Sequence, residues 1–268
     1  MRSIAILIAT GAVLTSAPSV RAQSLAQRIA AVRDGRVQLR FASRDGVCGN
    51  GRGSIGTGGH NFIGEVSSSS DSRNWRDWCE PGPVRSVLTV HDGTVERVRV
   101  FVGGSDSSAD LHELGVVSAT EGATYFLDLA RRGDRGQVGD QAILAAVLAD
   151  SVTPWPALFS IARDDSLPRA THATAVFWLS QAAAAVVNKR ALFGDRDSDT
   201  NSDRDDVRAQ AIFALSQQPH DEGVPALMRV ARTNRNPELR SKALFWLGQS
   251  GDPRAIDLFA GILEGKNP

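Results

Sequence analysis

The sequence predicts a mainly α protein, an α-α superhelix of stacked helix pairs carrying a small β-containing module at its N-terminal end. Three observations lead there. The phrase Ala-aliphatic-Phe-X-Leu-small-Gln occurs three times, at Ala175–Gln181, Ala211–Gln217 and Ala243–Gln249. A second phrase, Pro-Ala-Leu followed by an apolar-rich stretch ending Ala-Arg, occurs at Pro156–Arg163 and Pro225–Arg232. Residues 23–118 hold neither; they show short alternating apolar runs between Gly- and Ser-rich stretches.

The first 22 residues read as a secretory signal peptide. Met1-Arg2 is a basic start, Ile4 to Leu14 is mostly apolar, and Val20-Arg21-Ala22 offers small residues for cleavage. The apolar run is too short for a membrane span. Cleavage after Ala22 would leave a mature chain starting at Gln23, exported to the periplasm or secreted. No other segment reads as a transmembrane span. The chain balances 30 basic against 30 acidic residues. Losing Arg2 and Arg21 leaves a net charge near −2, so nothing in the balance draws nucleic acid or an anionic membrane.

Residues 23–118 are expected to form a small α+β module. Ser24 to Arg33 has apolar residues at helical spacing and predicts one short helix. Val37 to Phe41 alternates as a strand does. Gly46 to Ser72 has few apolar anchors and is expected to be loop. Val84 to Val90 and Thr94 to Phe101 predict a hairpin around His91-Asp92-Gly93, with one wet face. His112 to Val117 would add a strand to what is expected to be an antiparallel sheet, half-buried against the helices.

The two cysteines of the chain, Cys48 and Cys79, are both in this module. In an oxidising compartment a lone pair is most simply a disulfide. Their separation matches neither a C-x-x-C redox pair nor a metal site with a nearby His pair. The bridge would close a loop of about 30 residues and stabilise by roughly 3–4 kcal/mol on the chain-entropy estimate. Trp75 and Trp78 are expected to pack over it rather than to stack a ligand. Gly51-Arg52-Gly53-Ser54-Ile55-Gly56 matches G-x-G-x-x-G, but more glycines follow and no helix, so no dinucleotide site is expected.

Residues 119–268 are expected to be the helical repeat domain. Each unit reads as a short helix, a Pro-containing turn (Pro168, Pro237) and a second helix that carries the phrase. Apolar residues recur at i, i+3, i+4 and i+7. Ala142 to Ala146 reads as a degenerate earlier copy. Asp206-Val207-Arg208 and Pro237-Glu238-Leu239-Arg240 open the later phrase helices, since acidic residues and Pro suit a first turn. Asp252 followed by Pro253 opens the last helix with an N-cap. The small Ala would admit a close neighbour, and Phe, Trp and Leu are expected to bury between units. The recurring Gln is expected to bond the neighbouring turn's backbone.

With its Asp-X-Arg or Pro-X-X-Arg start, the Ala three residues later and the aliphatic run beyond, residues 140–264 resemble HEAT repeats. They are also similar to the HEAT-like repeats of the phycobilisome-lyase class, whose activity repeat motifs alone do not carry. The resemblance implies a HEAT-like solenoid, an armadillo-type fold, whose concave side binds a protein or peptide partner. It brings no shared catalytic residues. Arg208, Gln210, Arg240 and Lys242 are expected to form a polar contact face.

One loop could hold chemistry. Counting Asp195 as position 1, oxygen donors fall at Asp195, Asp197, Asp199, Asn201, Asp203 and Asp206, the spacing of an EF-hand calcium loop. Thr200 stands where that loop needs Gly, and Asp206 is shorter than the usual Glu; a solvated acidic loop capping the next helix is the other reading. Calcium is the one cofactor suggested. There is no H-E-x-x-H and no G-x-S-x-G, and no catalytic residue is named. The expected function is that of an exported, non-enzymatic binding or scaffold protein. The alternatives are a calcium-stabilised structural protein or an enzyme, lyase-like or a hydrolase, with a closed pocket near His60 or His112.

Overall fold

The structure, a computed structural model, describes residues 23–57, 62–63, 79–104, 110–132, 136–193 and 202–266. Residues 1–22, His60, Trp75 and Trp78 lie outside them.

The chain enters through α1 (Leu25–Ala30). Ser24 caps it: the Gln27 amide donates to Ser24 Oγ at 3.3 Å, and the Ser24 amide donates to Gln27 Oε1 at 3.0 Å. This reciprocal pair satisfies two orphan amides. The helix is shorter than its apolar spacing predicts, because Gly35, at φ 130°, turns the chain into β1 (Gly35–Phe41).

β6 (Val84–His91) and β7 (Thr94–Phe101) form the expected hairpin. Asp92 and Gly93 both have positive φ, 49° and 71°. That is a two-residue turn whose twist matches the strands it joins. The sheet order is β7-β6-β1-β8, with β8 at His112–Val116. β1 and β6 are antiparallel, but β8 runs parallel to β1, not antiparallel as the sequence suggested. β6 already fills one side of β1. β8 takes the other side and runs toward the first long helix, with the Val117 amide donating to Arg40 O at 2.8 Å.

The stretch expected to be loop instead contributes strands. β2 (Val47–Gly49), β3 (Ile55–Thr57) and β4 (Phe62–Ile63) join β5 (Glu80–Pro81) in a second sheet of order β4-β3-β2-β5. Its glycines explain both its existence and its invisibility. A Cβ on Gly49 would strike the carbonyl of Val102, and one on Gly103 (φ 66°) would strike the carbonyls of Gly49 and Glu80. Backbones meet where side chains are missing, so the pairing leaves no apolar alternation to read. Cys48 and Cys79 are joined as a disulfide, with Cα atoms 5.2 Å apart, tying β2 to the segment before β5.

Among the described residues eight helices follow: α2 (Ala119–Arg132), α3 (Gly136–Val147), α4 (Trp155–Ala162), α5 (Arg169–Phe193), α6 (Ser202–Ser216), α7 (His220–Thr233), α8 (Pro237–Ser250) and α9 (Pro253–Leu263). The module and the helices share one core. Phe41 of β1 packs on Phe126 of α2 with ring centroids 6.0 Å apart, and Gly122 leaves room for the Phe41 ring. α3 packs on β7 and on α5. α4 with α5, and α7 with α8, are close-packed pairs, each a short helix followed by a phrase helix.

The three phrase helices do not stack in chain order. α5 makes its largest contact with α8, and α8 in turn packs on α6. α5 and α8 run antiparallel: Ser241 near the start of α8 donates to Asn188 near the end of α5 at 2.8 Å, while Gly248 lies against Ser180. α6 and α8 are each joined to α7 by a short turn and pack on it, so they run in the same direction. α9 closes the far layer, packing on α5 and reaching α4, where Arg163 meets Asp257 at 3.0 Å.

At about 100° per residue, the Ala, aliphatic, Leu and small positions of the phrase share one side of the helix, and Gln falls opposite. Ala175, Val176, Leu179 and Ser180 are buried accordingly, as are Ala243, Leu244, Leu247 and Gly248. The Phe position lies on the flank. Contrary to the sequence expectation, Phe213 and Phe245 do not bury: they are 48 % and 37 % exposed. The Gln expectation also fails at two copies. Gln217 donates to the hydroxyl of Ser216 at 3.1 Å rather than to a neighbouring backbone, and Gln249 is exposed.

α5 deserves a comparison with a membrane span, since its 21 residues from Arg169 to Lys189 reach a mean hydropathy of 1.2. Here the apolar side is taken up by protein: Ala175, Val176, Trp178, Leu179, Ala183 and Val187 are buried against α3, α4, α8 and α9.

Candidate functional site

Three surfaces combine exposure with chemistry. The first is an aromatic ridge across α6 and α8. Trp246 sits between Phe213 and Phe245, with both ring centroids 5.1 Å from its own. The parallel run of the two helices puts a phrase Phe of one beside the phrase Trp of the other. Val207, 66 % exposed, lies further along α6. Single exposed apolar residues are ordinary, but a cluster of aromatic rings on one ridge is the composition of an interaction surface.

The second is a groove of about 400 Å³ between α7 and α9, lined by Pro225, Met228, Arg229, Arg232, Thr233 and Arg254. Arg254 is held by the N-cap of its own helix: Nε and Nη2 donate to the two Asp252 oxygens at 2.9 and 2.8 Å, while the Arg254 amide donates to Oδ1 at 2.9 Å. Asp252 therefore caps α9 as its sequence position suggests, and its carboxylate raises the Arg254 pKa further above the usual range.

The third is a groove of about 610 Å³ between β7 and α3. Arg97 to Phe101 form one wall, and Gln137, Asp140, Gln141 and Leu144 form the other. Arg97 and Arg99 are exposed on the sheet's outer face. The guanidinium carbons of Arg85 and Arg99 each lie 5.1 Å from the Phe101 ring centroid. Burial raises the Asp140 pKa, partly offset by hydrogen bonds from Thr171 and Thr174.

The four polar residues expected to share a contact face do not share one. Each pair is two positions apart, about 200° around the helix. Arg240 points with Ala243 and Leu247 toward the packed side and is half-buried, with its Nε inside the protein. Lys242 points away and pairs with Glu238 at 3.1 Å. Arg208 and Gln210 are both exposed; among the described residues α6 packs chiefly on α7 and α8, away from these two side chains. The aromatic ridge was missed because the phrase Phe was assigned to the core; its helical angle, on the flank, is the signal that could have found it.

Of the oxygen donors proposed for calcium, Asp195, Asp197, Asp199 and Asn201 lie outside the described residues. α6 begins at Ser202, before the Asp206 start expected from sequence, so Asp203 and Asp206 fall within the helix. Among the described residues no group of three or more His, Cys, Asp or Glu side chains could hold a metal ion. Gly51 and Gly53, with φ of 70° and 116°, make a turn that runs into strand β3 rather than a phosphate-binding helix. His112 is exposed at the start of β8, and His91 pairs with Asp34 at 2.7 Å in the open hairpin turn. None of the three surfaces described above includes a histidine.

Residues 199–268 match the family model of HEAT repeats, and the C-terminal part of this chain is a HEAT-repeat region. The matched span covers α6 to α9, including the two phrase helices that run in the same direction. The antiparallel copy in α5 falls outside it. No curated protein and no solved structure matches the chain.

Proposed function

We propose that the mature chain is an exported, non-enzymatic protein that binds another protein through its HEAT-repeat region. The observation that carries this reading is the exposed ridge of Phe213, Trp246 and Phe245. Large aromatic side chains offer much contact area at small entropic cost, and Trp and Tyr lead among residues that dominate interfaces. On this reading α6 and α8 form the first turns of a short α-α superhelix, and α6, with few neighbours, leaves its side open to the partner. The long central α5 and the bridged β module brace the other end. Export is supported by the N-terminal basic-apolar-small pattern and by the joined Cys48–Cys79 pair, which suits an oxidising compartment.

The test is affinity capture from envelope extract with the mature chain as bait, beside a Phe213→Ala/Phe245→Ala variant. Both side chains are partly solvent-exposed, so circular dichroism should show the variant folded. The reading expects one abundant stoichiometric partner, retained by the native chain and lost at least tenfold by the variant. Equal capture by both overturns the ridge as the binding surface.

A further inference from the structure

We propose that the open edge of β7, with the facing side of α3, receives an extended peptide strand bearing carboxylates at alternate positions. This site is separate from the aromatic ridge and stands or falls without it.

β7 ends its sheet, and among the described residues β6 is its one strand partner. An edge strand presents a row of backbone donors and acceptors that another strand can pair with. Proteins that recognise peptides by strand addition take affinity from that pairing and specificity from pockets for alternate side chains. β7 has the required companion surface: the groove runs beside five consecutive residues, Arg97 to Phe101, roughly 13 Å of strand. The irregularity opposite Thr89 and Val90 breaks the register at the near end, leaving 97–101 as the regular portion.

The two faces of the groove set what an added strand must carry. Side chains on its outer face would lie beside Arg97 and Arg99, both exposed, with Arg85 and Arg99 flanking Phe101. Opposite charges directly across a sheet attract and like charges repel. The acid of β7 itself, Glu96, sits at the register irregularity just before Arg97, and Glu113 lies on β8 at the opposite edge of the sheet, so neither stands opposite Arg97 or Arg99 across the open edge. The outer positions of the incoming strand are therefore acidic. Its inner positions would face Leu144, Gln137, Gln141 and the half-buried Asp140, whose carboxyl disfavours a second row of acid there, so apolar or amide side chains suit them. The same arginines discourage uncharged strands from adding, so the edge is guarded and selective at once.

The test uses the full mature chain and labelled eight-residue peptides read by fluorescence anisotropy. The probe alternates Asp with Val. Its controls are a block peptide of the same composition, an alternating Lys-Val peptide, and the probe N-methylated at alternate residues. The proposal expects the alternating Asp probe to bind at least tenfold more tightly than each control. An Arg97→Glu/Arg99→Glu variant should invert the preference toward the Lys-Val peptide, which a loss of folding would not do. Equal affinity for the block peptide, or indifference to N-methylation, reduces the site to plain charge attraction and overturns the proposal. So does no binding at millimolar peptide. A dimer of the native chain that the variant abolishes would make a second copy the occupant and overturn it too.

Discussion

Replacing Gly248 with alanine tests the antiparallel crossing of α5 and α8 directly. Inside a helix, Gly→Ala ordinarily stabilises by up to about 1 kcal/mol, because glycine surrenders more backbone freedom on folding. At Gly248 the new Cβ would lie 2.5 Å from Ser180 Oγ and 2.6 Å from Ser180 Cβ. A hydroxyl can rotate away, but a Cβ is fixed to its backbone. The helices must therefore part by about 1 Å to reach van der Waals distance, 3.5–4.0 Å. Overpacking of this kind costs roughly 1–3 kcal/mol. The crossing is also lined by fully buried Ala175, Leu179, Leu244 and Leu247, so the parting is felt along both helices. The net expectation is a loss of about 1–2 kcal/mol. Gly261 supplies the control. It lies in α9 with its nearest obstacle, the Lys266 carbonyl, 3.8 Å away, so Gly261→Ala should stabilise by about 0.5–1 kcal/mol. Urea unfolding at equilibrium measures both. The double variant Ser180→Gly/Gly248→Ala removes the obstructing atoms and should recover most of the loss. If Gly248→Ala stabilises as much as Gly261→Ala, the two helices do not cross where the structure puts them.

Two further predictions concern titration and metal. Tyr125 is the single tyrosine of the chain, and burial pushes its pKa up to about 12, with Arg132 pulling slightly the other way. Tyrosinate absorbance near 295 nm should therefore titrate near pH 12 in the folded protein and near 10 in denaturant; coincident midpoints would refute the burial. A folded-state pKa above the unfolded one means the neutral phenol contributes stability below pH 10, lost as pH rises toward 12 and amounting to roughly 3 kcal/mol in full. The oxygen spacing from Asp195 to Asp206 predicts calcium binding to the protein, weakened by Asp195→Asn/Asp199→Asn; calorimetry showing no heat at millimolar calcium ends that idea.

Much of this fold is legible because local signals and tertiary contacts agree. Asp92-Gly93 marks its turn by the dihedrals it can adopt, Asp252-Pro253 marks a helix start by its capping chemistry, and the alternation from Val84 to Phe101 matches a half-buried hairpin. What escapes the sequence is set by geometry that leaves no local trace. The second sheet is built where Gly49 and Gly103 let backbones touch, and an absent side chain looks the same in a loop. β8 lies on the side of β1 that β6 leaves open and runs parallel to it, and neither its place nor its direction is written in the residues of the strand itself. The ridge at Phe213 and Phe245 was hidden because a large aromatic in a helical repeat reads as core unless its angle is followed around the helix.

The three phrases differ most where they look alike. Their small sixth positions, Ser180, Ser216 and Gly248, suggest one packing role, yet two of them meet each other and the third meets neither. Ser180 and Ser216 both turn their hydroxyls to their own helix backbone, at Phe177 and Phe213, but only Ser180 also lies against Gly248 at the crossing of the antiparallel helices. A phrase that fixes the buried side of a helix says nothing about the direction of the helix it will meet, because small residues admit close approach from either. Direction comes instead from the connections: short turns on either side of α7 make α6 and α8 parallel, whereas α5 runs 25 residues, about 37 Å, before the chain turns back. That length lets the third copy pack on the first and leaves the second at the outside. The exposure of α6, and with it the aromatic ridge, follows from this order of packing. A chain that stacked its copies in sequence would have covered Phe213.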